Sequence, residues 1–439
     1  MAPERLTVHP STGLRANGET SKSSENPVRA GLRRSTKNLF SAACRLAKAS
    51  IRLPLPPIAR APAGKRLSAG LALASVLLLR PAALFPADPV WKIEWERTVE
   101  AAKKEGWISV YGSDTFEPFL QGSFLKKYPE IKLNFVGGRA PVVGPKLITE
   151  RRAGKYLADV ILTGPGTPYR IYYKNQALDP IGPALILPEV LDESKWWQGR
   201  HHYVDAENKY IFIYEATVQG GDLAYNTKLV KPDELKSYWD LLQPRWRGKI
   251  VAMDPKMSGA VSRGIRFFYF SPALGPKFIA KLFGETEITL ARDFNQMLDW
   301  LATEKFSLAV FAGSSEIATA AGQGLPVKEF PPAHFQEGAA VSPFNGTVSL
   351  VNRAPHPYAS KLLINWLLSR EGQTAVQQHL AAEGNFRESL REDVSKDAVP
   401  PAYRRDAKVR YLMISRAADI DGENEAMKLA SDAAAAKKK

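Results

Sequence analysis

The chain has 439 residues, 45% of them hydrophobic, enough to bury one large or two ordinary cores, which excludes disorder over most of its length. Its formal net charge of +15 does not point to nucleic acid: residues 1–87 hold 14 Lys/Arg against 3 Asp/Glu, and the rest hold 46 against 42, too even a balance for a basic face on the folded part. Cys44 is the only cysteine, so neither an intramolecular disulfide nor a thiolate cluster can form.

Residues 1–60 scatter Arg, Ser, Pro and Asn without sustained periodicity and are expected to be disordered. Arg60, Lys65 and Arg66 then precede the apolar run Leu67–Leu79, with Arg80 and Pro81–Ala87 behind it. As a helix this run rises only about 20 Å, short of the roughly 30 Å of hydrocarbon core, so it reads as a secretory signal within about 60–87 rather than a membrane span. Cleavage is expected near Ala83 or Ala87, although neither Pro81-Ala82-Ala83 nor Phe85-Pro86-Ala87 places a small residue three before the cut. Arg33-Arg34 lies too far ahead of the apolar run for a twin-arginine signal. Ser41-Ala42-Ala43-Cys44 lacks the large aliphatic residue of a lipoprotein box. A periplasmic protein whose mature form has no cysteine is expected.

Trp91–Glu105 has apolar residues at helical spacing and stops at Gly106. Trp107–Tyr111 reads as a strand leading through Gly112-Ser113-Asp114-Thr115 into a helix with Phe116, Phe119, Leu120 and Phe124 on one face. Lys132–Val136 is a second strand, followed by Gly137-Gly138-Arg139 and a helix through Arg152; Asp159–Leu162 is a third, ending in Thr163-Gly164-Pro165-Gly166. Strands alternating with helices imply a parallel, doubly wound α/β sheet, whose ligands bind beyond the carboxyl ends of the strands. Those ends carry Ser113, Gly138/Arg139 and Thr163/Gly164, residues that could equally be turn glycines and helix caps.

Tyr210–Tyr214 and Gly221–Tyr225 read as strands before Asn226-Thr227-Lys228. Leu235–Leu242 is a short helix, Pro244–Gly248 a turn and Lys249–Met253 a buried strand ending in Asp254-Pro255. Met257-Ser258-Gly259-Ala260 then opens a helix with Val261, Ile265 and Phe268 on its apolar face. Phe306–Phe311 ends in Gly313-Ser314-Ser315-Glu316 before an Ala-rich helix; Pro326–Phe330 and Gly346–Val351 are strands, and Pro355–Gln378 is helical. The tail Ala433–Lys439 is of low complexity and expected to fray.

Trp239-Asp240-Leu241-Leu242, Pro244-Arg245-Trp246-Arg247-Gly248-Lys249-Ile250 and Asp254-Pro255 resemble the ferric-iron-type extracellular solute-binding proteins of bacterial ABC importers. Val110–Ser113, Ala158–Val160, Ala224–Thr227 and Ala359–Gln373 match the same pattern in order, covering roughly residues 95–380. The resemblance implies two α/β lobes joined by two crossing strands near Leu223–Asn226 and Gly338–Ser349, closing around a ligand. It divides the chain into an N-terminal extension (1–87), a first lobe (88–224), a second lobe (225–345) and a return to the first (346–439). It also implies a monomer that presents its ligand to the permease subunits of an importer, without cofactor or catalysis.

Ferric members carry adjacent tyrosines after the strand corresponding to Phe306–Phe311, where this chain has Gly313-Ser314-Ser315. Tyr172-Tyr173 sits on an earlier helix and reads as packing. The hydroxyls and backbone amides at Ser113, Thr163, Gly164, Ser258, Gly259, Ser314 and Ser315, with Arg139 nearby, suit an oxyanion-bearing or polar organic ligand, with ferric iron as the alternative. Tyr225 either stacks on a ligand or covers the hinge, and Asn226 either bonds the ligand or caps the turn after it.

The rival class is a cleft enzyme, yet the chain has no G-x-S-x-G elbow, no G-x-x-x-x-G-K-[ST] loop and no H-E-x-x-H helix. His201-His202 on an extended segment would point opposite ways and make a poor chelate. A ligand-sensing partner of a membrane receptor would use the same cleft and look the same in sequence.

Overall fold

Helix Val90–Glu105 lays Thr98 and Ala102 against the interior and ends at Gly106, whose left-handed backbone (φ 67°) lets its N–H cap the Ala102 carbonyl and turns the chain into the first strand. The computed structural model describes residues 89–138, 140–257 and 259–437; the signal-like segment and Cys44 lie outside them, as do Arg139 and Ser258. All described residues belong to one unit, and no helix among them is long and apolar enough to cross a membrane.

The first lobe takes strands β1 (Trp107–Gly112), β2 (Lys132–Gly137), β3 (Val160–Thr163), β4 (Leu178–Asp179), β5 (His202–Tyr203) and β6 (Phe212–Ile213). Next come β7 (Glu215–Gln219), β8 (Ala224–Asn226), β9 (Ile250–Met253), β10 (Ile288–Ala291), β11 (Leu308–Val310) and β12 (Val327–Glu329). The chain closes with β13 (Ala339–Ser342), β14 (Thr347–Val351), β15 (Glu388–Ser389) and β16 (Tyr411–Met413). One sheet runs β2-β1-β3-β14-β6-β5, with β4 paired to β14, and a second runs β10-β9-β11-β8-β12. Both are mixed. β1, β2 and β3 are parallel in the register Trp107↔Lys132 and Val110↔Val160, whereas β14 returns antiparallel with Thr347 opposite Thr163.

Between the lobes lies a third sheet, β15-β7-β13-β16. β7 and β13 pair antiparallel, Ala340 opposite Gln219 and Ser342 opposite Thr217. Because successive side chains on a strand point to opposite faces, β13 sends Ala339 and Val341 into the first core and Ala340 into the second. The first crossing therefore lies at β7 and the segment after it, earlier than Leu223–Asn226, which belong to the second core or sheet.

Residues after 384 do not simply return to the first lobe. They add β15 and β16 to the hinge sheet, and helix Glu423–Ala436 then packs Ala426 and Ala430 into the second core. On the way, Asp421 accepts hydrogen bonds from the Tyr169 hydroxyl and from Lys174 Nζ (2.7 Å), and Glu423 pairs with Arg170, all three partners in the first lobe. The tail is a strap touching both lobes.

Two further expectations change. Pro355–Gln378 is two helices, Pro357–Leu368 and Arg370–Ala382, because Ser369 leaves the helical conformation and its Oγ accepts the Gly372 N–H. Leu235–Leu242 shortens to a tight turn of helix at Tyr238–Leu242, capped by Ser237. Asp159 is fully buried, where its carboxylate accepts the N–H groups of Ser109 (2.7 Å) and His356 (2.8 Å) and so ties β1 to the start of helix Pro357–Leu368. The motif around it supports the scaffold rather than the cleft.

Candidate functional site

The loops after β1, β2 and β3 open onto one cavity of about 700 Å³. Ser113, Gly138, Thr163 and Gly164 form its first-lobe wall, joined by Arg170 at the start of the next helical turn. Hinge residues Ser342, Phe344, Asn345 and Ser415 form the floor. Arg263 and Arg266 line the second-lobe side. They lie three apart on helix Ala260–Phe270, hence on one face, opposite to the buried Val261, Ile265 and Phe268.

Hydrogen bonds hold the wall. Asn345 Nδ2 donates to Ser113 Oγ (3.2 Å), Thr347 Oγ1 to the Thr163 carbonyl (2.6 Å), and Ser342 and Ser415 share a bond at 3.0 Å. The arginine side is less satisfied. Arg266 has its Nε buried with no hydrogen-bond partner, and Arg263 has no hydrogen bond or ion pair from its side chain among the described residues. Burial holds the Arg266 guanidinium below its ordinary pKa; the charges of Glu423 and Asp419 oppose that shift and those of Arg170 and Arg263 add to it. A buried donor without an acceptor is costly in the unliganded protein, and an anion entering the cavity would meet the guanidiniums of Arg263 and Arg266 that line it.

The expected residues divide. Ser113, Thr163 and Gly164 line the cavity; Arg139 and Ser258 lie outside the described residues, on the loops after β2 and before helix Ala260–Phe270. Gly259 (φ 79°) precedes that helix but does not line the cavity, and it is the helix behind it that brings arginines there. Ser314 is exposed, donates to Glu329 Oε1 (2.8 Å) and opens helix Ser314–Gly322 outside the cavity lining. Tyr225 and Asn226 require correction. Tyr225 is buried against Phe330, with ring centroids 4.5 Å apart. Asn226 is fully buried; its amide donates to the Leu301 carbonyl (2.7 Å) and accepts from the Lys228 N–H, so it locks β8 to a neighbouring helix and is spent on the fold. Arg170, Arg263, Arg266, Ser342, Phe344, Asn345 and Ser415 are additions. Only the Arg263/Arg266 spacing gave a signal in sequence, and a solvated helix face carries the same one.

Near Arg263 the second lobe holds an acidic pair. Burial raises Asp222 to about 6, Arg263 opposing and Glu316 adding to the shift; burial and then the charge of Asp222 raise Glu329 to about 7, against the Ser314 hydrogen bond. Both carboxyls bind protons more tightly folded than unfolded, so the stability they contribute is full below about pH 4 and is lost as pH rises through 6–7. Glu329→Gln is expected to raise the melting temperature at pH 8 while leaving it nearly unchanged at pH 4. Melting curves of both proteins at the two pH values check this; a constant offset between them would sink it.

The pattern of the bacterial extracellular solute-binding proteins matches residues 109–374. No curated protein matches the chain. Among solved structures, the Bordetella ferric binding protein aligns with a TM-score of 0.54 at 17% identity, over 74% of this chain and 98% of that one. The Trichodesmium protein IdiA (FutA), in complex with iron and citrate ligands, aligns with a TM-score of 0.53 at 19% identity, over 75% and 99%. An ABC transporter protein from Clostridium perfringens aligns with a TM-score of 0.53 at 13% identity, over 74% and 98%. Likeness at these identities is likeness of fold: two α/β lobes about a hinge.

Proposed function

The chain belongs to the bacterial extracellular solute-binding proteins, and from that premise we propose that it is the receptor of an ABC importer for a small anionic solute, captured between its lobes and handed to the permease. The family is one of extracellular transport components rather than catalysts, and residues 60–87 are proposed to direct export to the periplasm. One observation carries the ligand class: Arg263 and Arg266 line the cavity beside Arg170, and neither of the two is in an ion pair among the described residues. A carboxylate, phosphonate or phosphate oxygen is the acceptor that geometry lacks, and a charge-assisted bond to it is about twice as strong as a neutral one. Ser113, Thr163 and Gly164 are proposed to hold the ligand from the first lobe, with Arg139 and Ser258 on flanking loops. Contacts from both lobes favour the closed form to the extent that they exceed those made when it is open.

A ferric reading draws support from the Bordetella and Trichodesmium structures, whose names carry iron. Among the described residues lining the cavity there is no tyrosine, histidine or cysteine and one carboxylate, Asp114, against three arginines, so iron is proposed to enter as an anionic chelate such as ferric citrate. Import rather than sensing is proposed; a histidine-kinase gene beside this one, in place of permease and ATPase genes, would reverse that choice.

Thermal-shift measurements of the purified protein with organic acids, phosphonates, ferric citrate, ferric salts, polyamines and sugars test the reading. Ligand at a hundredfold excess over its dissociation constant stabilises the native state by about 2.7 kcal/mol, well within detection. Shifts are expected with anions. A shift confined to ferric salts or polyamines would overturn the anion assignment, and turnover of a bound compound would overturn the receptor role.

A further inference from the structure

Phe344 is out of place in an arginine-lined cavity. The residue is 48% exposed and belongs to neither hydrophobic core, yet it lines the floor between β13 and β14. Its backbone is left-handed (φ 48°), a conformation that a bulky residue holds only when its surroundings impose it. The surroundings do so. The Phe344 carbonyl is packed against Gly164, where a Cβ would stand 2.4 Å from it. Two residues on, Gly346 is packed against Glu215, where a Cβ would stand 1.8 Å from Cγ. Arg387 lies over the ring, its guanidinium carbon 4.5 Å from the centroid, and Arg387 is itself buried and paired with Glu215 at 2.9 Å.

One face of the ring is thus covered by a fixed guanidinium, while the residue, which lines the cavity, stays about half exposed. Neither hydrophobic burial nor an easy turn explains a phenylalanine there.

We propose that Phe344 is the platform for the body of the ligand, and that the solute is an organic anion with a planar or apolar portion: the arginines take the charged group and the ring takes the rest. This rests on the anion-receptor reading above and adds to it the ligand class and a specificity-determining residue. Ring contacts of this kind add to the gain from burying apolar surface, together about tenfold in affinity.

Matched probes separate the two claims. Calorimetric titration of the full chain with phenylphosphonate and methylphosphonate, and with benzoate and acetate, is expected to show the aromatic member of at least one pair binding about tenfold tighter or more. Phe344→Ala is expected to erase that preference, costing the aromatic member about tenfold more affinity than the small one; Phe344→Trp is expected to retain it. Equal binding of both members by the wild type, or equal loss of both in Phe344→Ala with an unchanged melting temperature, overturns the role of Phe344 and leaves the anion reading standing. Binding of none of the four, with arginine variants equally inert, overturns the anion reading and this inference with it.

Discussion

Replacing Arg266 with Met is expected to weaken binding of anionic ligands by about two orders of magnitude or more while raising the melting temperature of the unliganded protein. The two effects have one cause. In the free protein the guanidinium is desolvated, its Nε has no acceptor, and Arg170 and Arg263 repel it, although Glu423 and Asp419 attract it. Methionine fills similar space and carries none of these costs. In the complex the same guanidinium would give a charge-assisted bond away from bulk water, where truncating one partner costs about 2–5 kcal/mol. Melting curves with and without a saturating anion separate the terms. If Arg266→Met loses stability when unliganded and keeps its ligand-induced shift, Arg266 is structural and the cavity reading fails. Arg263→Met should weaken binding similarly with a smaller gain in stability, because Arg263 favours the charged form of Asp222 and that attraction is lost.

The scaffold was legible where a local pattern coincides with burial. β1 and β3 are short apolar runs, β2 alternates apolar and polar residues, each has a glycine at or just after its end, and the three loops that follow open onto one cavity, as the parallel arrangement of these strands requires. The second-lobe side was legible only in part. Ser258-Gly259 marks a helix start, but the side chains facing the cavity come one and two turns later, at Arg263 and Arg266. An i,i+3 pair of arginines looks the same on a solvated helix. Tyr225 and Asn226 misled because a polar residue after a strand reads as exposed, whereas the Leu301 carbonyl consumes the Asn226 amide inside the fold. The strap was illegible. β15 has two residues and β16 three, too few to show a period of two, and their strand character comes from pairing with β7 and β13. The Ala-rich stretch that suggested fraying is helical through Ala436, because small side chains at 426 and 430 let it pack closely on the second lobe.

Arg387→Met is expected to cost about 3–5 kcal/mol of stability, the largest effect of any substitution outside the cavity lining. Arg387 and Glu215 are 6% and 2% exposed, with Arg387 Nη1 donating to Glu215 Oε1 at 2.9 Å. Glu215 begins β7, and Arg387 immediately precedes β15, so the pair fastens the strap to the hinge sheet at the strand where the lobes first connect. Burial raises the Glu215 carboxyl even with the guanidinium opposing that shift. Without Arg387 the carboxylate would be buried and unpaired, and its pKa would rise further. A raised carboxyl contributes stability that is full below about pH 4 and is lost as pH climbs through the folded pKa, so the penalty of Arg387→Met should be smaller at pH 5 than at pH 8. Adding Glu215→Gln removes the charge, and the double variant should recover much of the loss at pH 8 and little at pH 5. Urea denaturation of the four proteins of this cycle at both pH values decides it. A penalty equal at the two pH values and untouched by Glu215→Gln would mean that Arg387 acts by packing under Phe344 and not through the ion pair.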